Sequence, residues 1–242
     1  MSQNNILLIM LDSVRYDTYS AAYTPNMDKV SKPRLVHSFA CWTIPSVLGY
    51  LYGFPPIGAG RNHFLPNVPR YHWAPKYLKG LGYMTAWFSA NPIICKLNEM
   101  TDNQFLRHWR YYKEHIQTST KTLIKEFDKI VGYEDLRLFA SFLIMDTHRP
   151  YNWGTGSQDM VLNPSINFEN QVKTIEYFDT LFPSIMTSFK KDGRKVDVVI
   201  TSDHGECFGP DGKGHDPSSR VNPIHFTEKL FAIPLVEGEV TP

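Results

Sequence analysis

Asn5-Ile6-Leu7-Leu8-Ile9-Met10-Leu11, halted by Asp12-Ser13, is the stretch whose reading decides the fold. A short, continuous apolar run bounded by polar residues fits a strand covered on both faces. That is the habit of parallel sheets sandwiched between helices. The same signature returns at residues 136–145, which end in Asp146-Thr147-His148-Arg149-Pro150-Tyr151. It returns again at residues 196–201, which deliver Ser202-Asp203-His204-Gly205-Glu206. Between these runs, residues 74–82 read as a helix followed by a strand at 83–88. Residues 113–130 read as an amphipathic helix, and 168–189 as a long helix containing Pro183. Strand–helix alternation with apolar strands predicts a doubly wound, mostly parallel α/β sheet with helices on both faces, in one domain over residues 1–242.

Composition bounds the function classes. The chain has 242 residues, 42% hydrophobic and 20% charged, which reads as a globular protein with a sizeable core. A net charge of +1 argues against broad electrostatic binding to nucleic acid or to an anionic membrane. The three cysteines, Cys41, Cys95 and Cys207, show no paired spacing, so a reducing, cytoplasmic setting without a disulfide framework is expected. The first apolar run is too short for a membrane anchor, and no signal peptide is expected.

In open α/β sheets, ligands collect beyond the carboxyl ends of the strands. Asp12, Asp146, His148, Asp203 and His204 all stand at such ends. By itself Asp12 fits either a metal ligand or a turn residue, and His148 fits either a structural or a catalytic role. A second signal is Cys41-Trp42-Thr43-Ile44-Pro45-Ser46, running into an apolar stretch closed by Gly53. Proline suits the first turn of a helix, so Thr43 sits at or just before a helix N-terminus, where free N–H groups favour negative charge. Thr43 there is an N-cap or a nucleophile facing an anionic phosphorus or sulfur centre. Two carboxylates and an imidazole suit a divalent cation such as Zn²⁺ or Mn²⁺, and a nearby hydroxyl loses its proton more readily beside one. The 53–69 loop and the 209–223 loop, which carries His215, are candidate parts of a substrate rim.

Together these stretches resemble the alkaline phosphatase superfamily on its sulfatase and phosphodiesterase side. The likeness is carried by residues 9–17 with Thr24-Pro25-Asn26-Met27-Asp28, by Trp42-Thr43-Ile44-Pro45-Ser46 with Gly53 and Pro55, and by His148-Arg149-Pro150-Tyr151. It continues through Thr201-Ser202-Asp203-His204-Gly205-Glu206 with Gly209, Gly214-His215 and Ile233-Pro234-Leu235. The resemblance implies Asp12, Asp203 and His204 as metal ligands and Thr43 as both ligand and nucleophile. It implies His148 and His215 as groups that grip the anion or protonate the leaving oxygen. Asp146, His148, His215 and His225 are candidates for completing a site of one or two ions, and Arg15 reads as either an anion contact or the ion-pair partner of Asp17.

Two departures matter. Sulfatases that convert a Cys or Ser to formylglycine carry it in a Cys/Ser-x-Pro-Ser-Arg context; here Thr43 stands in that place and Val47 replaces the arginine. Threonine cannot become that aldehyde, so direct attack by Thr43 on a small anionic ester is expected. That favours hydrolysis of phosphate mono- or diesters or phosphonate esters. Sulfate-ester hydrolysis, phosphoryl transfer to an alcohol and a silent anion-binding role are the alternatives. The shortened C-terminal portion leaves room for a partner, or a second copy in a homo-oligomer, to complete the cleft.

Overall fold

The structure is a computed structural model that describes residues 4–53, 73–91, 103–104, 119–131, 136–151, 163–208 and 228–242. Its strands are β1 (Asn5–Leu11), β2 (Arg34–His37), β3 (Tyr83–Ser89), β4 (Asn103–Gln104), β5 (Arg137–Ile144), β6 (Val196–Ser202) and β7 (Ala232–Val240). They form one seven-stranded sheet in the order β2-β7-β6-β1-β5-β3-β4. The run that opens the chain is the central strand, parallel to β5 on one side and to β6 on the other. Strand β3 continues the parallel set beyond β5. Only β7 runs against its neighbours, β6 and β2. This is the mostly parallel α/β sheet that the apolar runs foretold.

Side chains alternate across a strand, and β1 shows the consequence. Leu7, Ile9 and Leu11 enter one buried cluster; Met10, with Ile6 and Leu8 beside it, enters another. The first cluster is covered by α4 (Ser119–Ile130) through Leu123 and Phe127, and by α5 (Pro164–Phe189) through Ile175, Phe178, Phe182 and Phe189. The second is covered by α2 (Thr43–Tyr52) through Val47, Leu48 and Leu51, with Trp73 at the entry to α3 (Ala74–Gly80). A short helix, α1 (Tyr16–Ala21), follows β1. Among the described residues no helix is long and apolar enough to cross a membrane.

Several boundaries differ from those read in the sequence. Helix α5 begins at Pro164 rather than 168, because the Asn163 side chain accepts from the amides of Ser165 and Ile166 and proline occupies the first turn. It runs through Pro183 to Phe189. Strand β2 stops at His37, where Ser38 N bonds to Phe231 O and the chain turns toward α2. Residues 53–69, apart from Gly53, lie outside the described residues, as do 113–118 of the expected helix. Gly53 itself is the left-handed cap of α2, at φ 76°, the conformation glycine adopts at least cost.

The larger cluster is held by rings. Phe127 meets Phe142 edge-on at 5.2 Å and Phe189 at 5.0 Å, and Phe142 stacks on Phe88 at 4.7 Å. Phe127 is fully buried, so Phe127→Ala should lower unfolding stability by about 3–5 kcal/mol in urea denaturation. A loss below about 1 kcal/mol would show that α4 does not pack on the sheet in this way.

Candidate active site

The site is set by strand register. Leu11 pairs with Ile144 on one side and with Ser202 on the other, so β1, β5 and β6 end level at the carboxyl edge. Neighbouring strands lie about 4.8 Å apart. The next residues of β1 and β6, Asp12 and Asp203, therefore emerge side by side.

Asp12, Asp203 and His204 are fully buried, and each offers a donor atom within 4.8 Å of the others. His204 Nε2 lies 3.4 Å from Asp203 Oδ2 and 3.8 Å from Asp12 Oδ1. Its Nδ1 is 2.7 Å from the carbonyl of Gly205, which can only accept. In the neutral ring Nδ1 thus carries the proton, and the Nε2 lone pair faces the carboxylates. Thr43 is the first residue of α2, and its Oγ1 is 3.3 Å from that same Nε2.

Outer contacts hold these groups in place. Asp203 Oδ1 accepts from the amides of Ser13 and His204 at 3.0 and 2.8 Å. Asp12 Oδ1 accepts from the Ser13 hydroxyl at 2.8 Å. Ser13 adopts φ 66°, a left-handed conformation costing a non-glycine residue about 1–2 kcal/mol. Fully buried Gln171 of α5 donates to Ser13 O at 2.9 Å and accepts from Arg15 N and the Thr18 hydroxyl at 3.3 and 2.6 Å. Ser202 Oγ accepts from Val14 N at 2.9 Å and sits 2.6 Å from Leu11 O. Thr147 donates to Asp12 O at 2.8 Å. Tyr50 of α2 donates to Ser202 O at 3.0 Å, joining the Thr43 helix to the turn that carries Asp203 and His204. Burial, and then the Asp203 charge, push the Tyr50 phenol well above its ordinary range, so it remains a donor.

Of the residues singled out in the sequence, Asp12, Asp203, His204 and Thr43 come together. His148 stands beyond β5 with Nδ1 2.5 Å from Arg149 O, outside the cluster of three. Asp146 is buried, receives the Thr120 hydroxyl of α4 and stands outside the cluster of three. His215 and His225 lie outside the described residues. Arg15 forms the ion pair with Asp17, and its guanidinium lies 4.5 Å over the Phe208 ring. Cys41, two residues before Thr43, is pushed up chiefly by burial and stays a neutral thiol at neutral pH. Gln171 and Tyr50 were not legible as site residues, and Thr147 and Ser202, though inside the strand-end motifs, gave no sign of their contacts: each acts on a chain segment remote in sequence.

The donor set of two buried carboxylates and an imidazole nitrogen, with one carboxylate oxygen and the other ring nitrogen fixed by outer contacts, fits a divalent ion of the zinc or manganese type. This layered sheet, with its acidic, histidine-bearing edge, defines an α/β fold with a candidate metal centre. The chain belongs to the Sulfatase family, which it matches over residues 4–232. No curated protein matches it by sequence. Among solved structures it is similar to the phosphonate monoester hydrolase of Agrobacterium radiobacter: TM-score 0.65, 16% identity, covering 97% of this chain and 68% of that one. It is also similar to the C-terminal periplasmic domain of phosphoethanolamine transferase EptC from Campylobacter jejuni, with TM-score 0.61, 15% identity and coverage of 99% and 80%. The corresponding EptC domain from Escherichia coli, in complex with Zn, gives TM-score 0.54, 16% identity and coverage of 96% and 71%.

Gly205 is where the site tolerates no side chain. A Cβ there would overlap the carbonyl of Lys229, and Gly205 N donates to Leu230 O at 2.8 Å. Gly205→Ala must push the 228–230 turn away from the Asp203–His204 turn. It should lower stability by about 1–3 kcal/mol, read by thermal unfolding. A wild-type value would show that the two turns are not in contact.

Proposed function

We propose that the chain is a divalent-metal-dependent hydrolase of phosphate mono- or diesters, or of phosphonate esters, with Thr43 as nucleophile. The observation that carries this reading is the Thr43 hydroxyl 3.3 Å from His204 Nε2, inside a cluster of two fully buried carboxylates and that imidazole. Asp12, Asp203, His204 and Thr43 would hold the ion, which when bound supplies the positive charge that favours the threonine alkoxide and neutralises the reacting anion.

The remaining steps belong to the chain. Thr43 Oγ attacks phosphorus in line; the Thr43 O–P bond forms as the bond to the leaving oxygen breaks, and the leaving oxygen takes up a proton. His148, its Nδ1 hydrogen given to Arg149 O, would supply that proton from Nε2 only as an imidazolium; it and His215 are the candidates that the family resemblance implies. The first turn of α2 adds the backbone N–H groups of Thr43 and Ile44, which have no acceptor within the helix and favour an anion beside Thr43. Water then attacks the phosphothreonine and restores the hydroxyl. A threonine nucleophile favours this route over sulfuryl transfer through formylglycine.

A second reading is transfer of the phosphoryl group to an acceptor alcohol instead of water. It is favoured by the likeness to the Campylobacter jejuni domain, whose name is that of a phosphoethanolamine transferase. The two differ only in what relieves the phosphothreonine.

The test is a panel of para-nitrophenyl phosphate, bis-phosphate, phosphonate and sulfate esters, run with added Zn²⁺ or Mn²⁺ and again with chelator. Turnover of a phosphorus ester, abolished by chelator and by Thr43→Ala with the fold intact, is the expected result. Sulfate-only turnover would replace the reaction class, and full activity of Thr43→Ala would remove the nucleophile. Transfer shows as a burst of nitrophenol that stalls without inorganic phosphate and resumes when an alcohol is added, with the phosphate ester of that alcohol as the product.

A further inference from the structure

Behind the candidate metal centre lies a second set of charges. Glu206 follows His204 by two residues and its side chain is fully buried. Its Oε1 accepts from Cys207 N at 3.1 Å, and its Oε2 lies 3.4 Å from Nε of Arg149, whose side chain is 16% exposed. Tyr151, also buried, feels the same groups. Burial first, and then the Glu206 carboxylate, push its phenol above the ordinary range, while Arg149 and Arg15 pull the other way. These residues come from the three segments that leave β1, β5 and β6, the same segments that carry Asp12, His148 and Asp203–His204.

A buried ion pair is a poor stabiliser. Removing two charges from water cancels most of their attraction, and apolar residues of equal volume often do as well or better. Its best-attested benefit is to fix one arrangement among several. Arg149 is placed to do that here. Its carbonyl fixes the His148 ring through Nδ1, and its guanidinium reaches the carboxylate beside the metal turn. The neighbouring Arg15–Asp17 pair is neutral as a whole, so this second layer adds no net charge to the site.

We propose that the Arg149–Glu206 pair is a positioning device: it locks the His148 segment to the Asp203–His204 turn and thereby sets the site's affinity for its divalent ion. This rests on the metal-dependent reading above, for which the pair would be an outer-shell support. Outer-shell partners of metal ligands typically carry about 10–100-fold in affinity.

The test is a double-mutant cycle on the full chain with Glu206→Gln, which keeps volume and hydrogen-bonding capacity, Arg149→Met, and the two combined. Zn²⁺ affinity is read by chelator competition, and the Co²⁺-loaded visible spectrum reports coordination geometry. Each single change should weaken Zn²⁺ binding by about 10–100-fold and alter the Co²⁺ bands, and the double variant should lose no more than the worse single. Single variants within twofold of wild type, or losses that multiply in the double variant, would overturn the proposal. If the unaltered chain binds no divalent ion, the metal reading falls separately. The pair is then judged by hydrogen exchange at amides 203–208, which should speed up in both single variants; unchanged protection would refute it.

Discussion

Two aspartates forced side by side in a dry place are the constraint around which this molecule is arranged. Charge repulsion and lost hydration would drive Asp12 and Asp203 apart or toward water. The sheet denies both exits: β1 and β6 end level, and their next residues have nowhere to go but the shared edge. The amides of Ser13 and His204 answer part of that charge, and a divalent ion would answer the rest. The left-handed Ser13 is the local concession, since it aims an N–H across the gap at Asp203.

The helices serve this edge as well as the core. Helix α5 covers one hydrophobic face with Ile175, Phe178 and Phe182, and at its other end Gln171 grips the Asp12–Arg15 turn. Helix α2 covers the opposite face with Val47, Leu48 and Leu51; its start presents Thr43, and Tyr50 reaches the base of the metal turn. Each helix is thus fixed twice, by apolar burial along its length and by hydrogen bonds at the site. Apolar packing alone has little directional preference. The hydrogen bonds supply the direction that holds the Thr43 hydroxyl 3.3 Å from the His204 imidazole.

Catalysis of phosphoryl transfer asks mostly for positioning and for charge held ready, with little covalent work for the protein. The arrangement suits that demand. The donors come from strand ends and a helix start rather than from mobile loops, and their outer partners are buried. Arg149 and Glu206 extend the same logic one layer back, away from the Asp12–Asp203–His204 cluster and toward His148.

Much of the fold was written in the chain itself. Continuous apolar runs such as 5–11 and 196–202 can only be buried on both faces, and that fact alone implies a parallel sheet between helices. Asp12, Thr43, Asp203 and His204 were legible too, because each follows directly on a strand run or opens a proline-marked helix. What local signals could not show is whatever depends on two distant segments arriving at one level. Those features are the Leu11–Ser202 register, the reversal of β7, the grip of Gln171 on the first turn, the link from Tyr50 to Ser202, and the pairing of Arg149 with Glu206. Asp146 shows the limit from the other side: a carboxylate at the right edge by sequence, it receives the Thr120 hydroxyl of α4 and stands outside the cluster of three. Periodicity fixes which residues are buried; only the folded chain decides which buried polar groups find one another, because that depends on distances the one-dimensional pattern does not contain.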